Sequence, residues 1–140
     1  MSKVLYHYTC QFHLPSIVKA NFLTLTTSNF CLENHNLHRV VWLTDSPTPD
    51  NMGLLFDESV PDYLNKTRIR FTVRKKPYMK QWDKWSDEKG MDKELKAALI
   101  TSASAEETYK TWYVSERVIP MNDVLMIENI ATGETIYKKE

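Results

Sequence analysis

Thr67-Arg68-Ile69-Arg70-Phe71-Thr72-Val73 alternates without a break. Ile69, Phe71 and Val73 fall on one side, with Arg68, Arg70 and Thr72 near the other. A β-strand sends successive side chains to opposite faces, so this stretch reads as a half-buried strand. Outward toward the N-terminus, Val40-Val41-Trp42-Leu43-Thr44 is a dense β segment that stops at the breaker cluster Asp45-Ser46-Pro47-Thr48-Pro49. Val4 to Tyr8 alternates and is β-rich. A short helix follows, with Pro15 in its first turn and Leu14, Ile17 and Val18 as its apolar face. Phe22 to Leu25 reads as a further short strand, residues 26–37 as a loop, and residues 51–56 as a helical turn. Toward the C-terminus, residues 92–100 read as a helix and residues 111–114 as a strand. Val124 to Ile130 and Glu134 to Tyr137 flank Ala131-Thr132-Gly133 as a hairpin. Six or seven strands with two or three helices, dispersed rather than regularly alternating, predict an α+β fold over a doubly wound parallel sheet.

The chain has 140 residues and is 42% hydrophobic, enough for one domain with its own core. No linker composition or internal repeat interrupts it, so residues 1–140 read as a single domain. Its 18 basic and 18 acidic residues cancel, which argues against broad electrostatic binding to a nucleic-acid backbone but leaves room for a local patch. No apolar run approaches the ~20 residues that cross a bilayer, and no apolar export segment follows Met1-Ser2-Lys3. A cytoplasmic chain with Cys10 and Cys31 as free thiols, and no membrane partner, is the expectation.

Several chemistries lack their residues. The three glycines cannot build a dinucleotide or Walker phosphate loop. His7, His13, His35 and His38 form no metal-ligand spacing with the two cysteines. Ser115 lacks a nucleophile elbow.

Three constellations remain, and each has two readings. His7 and Thr9 at a strand end can offer polar contacts to a ligand, or His7 is a satisfied, partly buried histidine. Trp42, Trp82, Trp85 and Trp112 can stack a flat ligand, or they supply core area. Trp82 and Trp85, three apart, share a face if helical. Glu116 can orient a sugar hydroxyl or stabilise a developing cation, or form an ordinary surface pair. Arg68 and Arg70 share one strand face, where they can take a pyrophosphate or simply meet solvent.

The string Leu5-Tyr6-His7-Tyr8-Thr9-Cys10, a short helix and Phe22-Leu23 resemble the opening of ADP-ribosyltransferase-like proteins, in particular the DarT-like branch. Val41-Trp42-Leu43-Thr44-Asp45, Lys66-Thr67-Arg68-Ile69-Arg70, Trp82-Asp83-Lys84-Trp85 and Trp112-Tyr113-Val114-Ser115 resemble stretches of small bacterial and phage proteins, a likeness that carries no activity. The first resemblance implies a split β-sheet core with a few short helices, and NAD as substrate. It implies that His7 touches the nicotinamide-side ribose, that Trp42 or Tyr8 stacks on the nicotinamide, and that Glu116 holds the ribose 2′-hydroxyl while nicotinamide departs. Tyr8 stands where many members have glycine. The expected ligand wall is His7, Tyr8, Thr9, Trp42, Thr44, Arg68 and Arg70, with Glu116 and His7 as the catalytic pair converging on one cleft. Two functions follow from it: transfer of ADP-ribose to a protein or nucleic-acid acceptor (or NAD hydrolysis), and a non-catalytic nucleotide- or protein-binding module such as a phage-encoded inhibitor of host defence.

Overall fold

The computed structural model describes residues 4–10, 14–23, 40–48, 67–90, 92–102 and 108–139. The architecture is α+β. Seven strands form one antiparallel sheet: β1 (Val4–Thr9), β3 (Val41–Thr44), β4 (Ile69–Arg74), β5 (Met79–Gln81), β6 (Trp112–Ser115), β8 (Val124–Asn129) and β9 (Glu134–Lys138). Their order is β5-β6-β3-β1-β4-β8-β9, and β2 (Phe22–Leu23) pairs with β7 (Ile119–Pro120) in a separate ribbon. The helices are α1 (Leu14–Ala20), α2 (Trp82–Glu88) and α3 (Lys93–Ser102). The strands beyond the expected seven are β5 and β7, with three and two residues, too short for alternation to register. The expected loop at 26–37 and helical turn at 51–56 lie outside the described residues, as does Cys31.

β4 behaves as its alternation predicts: Ile69, Phe71 and Val73 are fully buried. Opposed pairs in an antiparallel ladder share a face. The β1–β4 register sets Leu5 against Val73, His7 against Phe71 and Thr9 against Ile69, so these residues line one side of the sheet. Val41, Leu43, Met79 and Ile127 join them in the larger core, closed by Ile17 of α1, Leu23 of β2 and Ile119 of β7. The opposite side carries a second core of Val40, Trp82, Trp85, Trp112 and Val114, with α2 packed over it. We call these the strap face and the tryptophan face.

The strap is the β4–β5 connection, Lys75–Tyr78. β4 and β5 stand four strand spacings apart in the order, about 19 Å across a flat sheet. Five peptide steps from Arg74 to Met79 reach at most about 18 Å, and part of that reach is lost in a turn where Met79 N–H bonds the Lys76 carbonyl. The sheet therefore curls, and the strap crosses its concave side, where Tyr78 packs on the larger core.

Local signals set the ends of the elements. α1 stops at Asn21, whose φ of 68° is tolerated by its short polar side chain, and Asn21 N–H bonds the Ile17 carbonyl. Leu14 and Ile17 face the core, but Val18 is 50% exposed, one step round so short a helix. α2 ends at Gly90, φ 72°, a left-handed position that glycine takes without cost. β6 starts one residue later than expected because a 3-10 turn takes Thr108–Thr111. At the far edge, all five residues of β9 are exposed, and a register shift opposite Ile127 and Glu128 leaves Ile136 as the extra, bulged residue.

Candidate functional site

β1 runs between β3 and β4, so the segment His7-Tyr8-Thr9 sits mid-sheet. Period-two alternation then divides it. His7 and Thr9 point to the strap face. His7 Nδ1 lies 2.8 Å from the Trp42 carbonyl and its ring meets Phe71 edge-on at 6.1 Å. A carbonyl only accepts, so Nδ1 carries the proton. Thr9 and Cys10 are buried. His7 is thus the partly buried, satisfied histidine of the plainer reading.

Tyr8 points the other way. Its cross-strand partner is Arg70, and Arg70 in turn opposes Glu128. Tyr6 opposes Thr44 on β3, which places Trp42, two residues earlier, on the same tryptophan face. Arg70 gathers this surface. Its NH2 donates to Glu128 Oε1 at 2.7 Å, its NH1 donates to the Pro47 carbonyl, and its guanidinium lies 5.4 Å from the Tyr6 ring centre. Nε is buried and finds no acceptor among the described residues. Burial works against the charge, but the hydrogen bond and charge of Glu128, with the Tyr8 hydroxyl, hold the pKa above its ordinary value. Both terminal nitrogens of Arg70 are therefore engaged, while a part of its side chain stays exposed.

The turn after β3 is latched onto the same surface. Tyr8 donates its hydroxyl to the Ser46 carbonyl at 3.0 Å. Thr44 Oγ1 accepts Ser46 N–H at 3.0 Å and donates to Thr111 Oγ1 at 3.1 Å. Thr44 thus shapes the turn that brings the Ser46 carbonyl to Tyr8 of β1 and the Pro47 carbonyl to Arg70 of β4. Arg68 precedes β4 with the same parity as Arg70, and its carbonyl accepts Ile130 N–H at 2.9 Å.

Three of the four tryptophans are core. Trp82 contacts the Trp112 ring at 5.1 Å and Trp42 at 6.3 Å, while Trp85 shares its helix face. Trp42 is the half-buried one, and it borders the Tyr8–Arg70 surface. Glu116 follows β6 and is exposed. It accepts the Trp85 indole N–H at 2.8 Å and pairs with Lys89 at 3.2 Å. Of the expected wall, Tyr8, Trp42, Thr44 and Arg70 share one face. His7 and Thr9 lie on the other, and Glu116 sits past the sheet end beside α2. Among the described residues the single cleft joining His7, an aromatic ring and Glu116 is not formed: alternation puts His7 on the face opposite Tyr8 and Trp42, and Glu116 is held beside α2 by Trp85 and Lys89. Tyr6 and Glu128 join the surface unannounced. Two-residue spacing from Tyr8 could have found Tyr6, whereas Glu128 depends on a long-range register.

Among the described residues no group of three metal-ligating side chains gathers, and no helix is long and apolar enough to cross a membrane. Comparison with protein-family models, curated proteins and solved structures finds no match.

Proposed function

We propose that this chain is a nucleotide-binding protein on an ADP-ribosyltransferase-like split sheet, which holds NAD or another ADP-ribose-bearing ligand without turning it over. The observation that carries this reading is the clustering of Trp42, Tyr8 and Arg70 on one face. A half-buried indole can stack a flat ring beside Tyr8, and Arg70, engaged by Glu128 and the Pro47 carbonyl, holds that surface in place beneath it. The split-sheet reading draws support from β1 and β3, where Tyr6–Thr44 is the register pair formed and the His7 ring reaches the Trp42 carbonyl. Binding is favoured over transfer because Glu116 already serves Trp85 and Lys89, away from His7. A cytoplasmic location suits a ligand of this kind. A binder of this size also fits a phage-encoded inhibitor of host defence, blocking a partner or sequestering a nucleotide.

Calorimetric titration with NAD and with ADP-ribose tests the reading, alongside an assay for released nicotinamide. Saturable binding is expected, weakened about tenfold or more by Trp42→Ala and by Arg70→Gln, with no nicotinamide released. Release that Glu116→Gln abolishes would make the protein a transferase or hydrolase. Absence of binding to either ligand would defeat the nucleotide reading outright.

A further inference from the structure

The strap carries a surface that the nucleotide reading does not use. Arg74, Lys75 and Lys76 run consecutively into it. Arg74 and Lys76 both approach Asp123 Oδ1, at 3.4 and 3.7 Å. Arg117, arriving from the β6–β7 turn, lies over the Tyr78 ring at 4.7 Å, and Lys75 lies over the Tyr113 ring at 5.0 Å. Lys139 donates to the Asn122 side chain next to Asp123 at 2.9 Å. Asp45 is felt by both Lys75 and Tyr113. Among the described residues, five cations thus gather around the strap, three of them facing Asp123 or Asp45 and two resting on a ring or an amide, on a chain whose total charge is zero. Val118, beside Arg117, is 43% exposed.

We propose that this patch docks an acidic protein segment, one that spaces carboxylates with apolar residues. Tyrosine and arginine around an exposed valine are the residue types that dominate protein interfaces. Two cations are already laid on rings, so part of their freedom is lost before a partner arrives. A nucleic-acid strand fits less well. Its backbone gains most from an unbroken run of cations, and here Asp123 and Asp45 interrupt them. Base stacking needs open aromatic faces, and Arg117 and Lys75 cover those of Tyr78 and Tyr113. Burial holds both tyrosines above their ordinary pKa, so they add no negative charge at neutral pH.

The test is fluorescence anisotropy of the whole protein with three labelled probes: a Glu/Leu-rich peptide, a Lys/Leu-rich peptide and an oligothymidylate. Binding to the acidic peptide is expected, falling with added salt, and about tenfold weaker in the double variant Lys76→Gln, Arg117→Gln. A single Arg117→Gln variant, checked by circular dichroism, guards against loss of fold and should show part of the same loss. No binding of the acidic peptide, preference for the oligothymidylate, or binding that survives in the folded double variant would each overturn the proposal. NAD binding plays no part in the readout, so the two proposals fail separately.

Discussion

Lys96 clamps α3 to α2. Its Nζ donates to the Asp83 carbonyl at 3.0 Å and meets Asp83 Oδ1 and Asp87 Oδ1 at 2.7 Å each. It also lies 5.5 Å from the Trp82 ring centre. Burial penalises the charge, yet the hydrogen bonds and charges of Asp83 and Asp87 outweigh it and raise the pKa above 10.5. A lysine whose folded pKa is raised stabilises the fold fully below its unfolded value and loses that contribution as pH climbs through the folded one. Lys96→Met should therefore cost about 1–2 kcal/mol at neutral pH, discounted for the solvent that reaches both carboxylates. The gap between parent and variant should narrow above pH ~10.5. Urea unfolding at neutral and strongly alkaline pH measures it, and an unchanged gap at both would show that packing, not charge, is what Lys96 supplies.

At the scale of the element, α2 depends on Trp82. The side chain is fully buried, packed against Trp112 and Tyr109, and its indole N–H finds no acceptor among the described residues. Trp82→Ala should cost about 3–5 kcal/mol by loss of contact and creation of a cavity. Trp82→Phe removes the unsatisfied donor as well as part of the ring, so its cost should be well below that of alanine. Equal melting temperatures for the two variants would contradict this. The helix also shows where sequence reading reaches its limit. The three-residue spacing of Trp82 and Trp85 anticipated their common face. The boundary with β5 was invisible, since Gln81 provides no side-chain cap and Met79–Gln81 is too short to show a period. β4 was legible because one face is wholly apolar, and the β8–β9 hairpin because Gly133, φ 80°, permits its turn. The candidate site was legible in residue type but not in arrangement. Tyr8, Trp42 and Arg70 meet only through pairings between distant segments. The separation of His7 from Tyr8, by contrast, follows from their being neighbours in a strand.

For the whole molecule, the order β5-β6-β3-β1-β4-β8-β9 has a consequence in time. Thr9 pairs with Ile69 and Val4 with Arg74, so β1 meets β4 only after some sixty residues more have been made. At ~5–20 residues per second, the first strand waits on the order of several seconds on the ribosome for β4, its other edge open until β3 is made. β3 likewise waits for β6. Among the large-sheet pairings, β8–β9 is the local hairpin able to form early. Closing long loops before any contact repays them makes folding slow, so refolding from urea should take milliseconds to seconds or longer. Stopped-flow tryptophan fluorescence would record it, with Trp82 and Trp112 reporting the late arrival of β6. A sub-millisecond single phase would be incompatible with this strand order. During that interval the Val4–Thr9 strand is an aggregation hazard, a burden on synthesis that the finished sheet conceals.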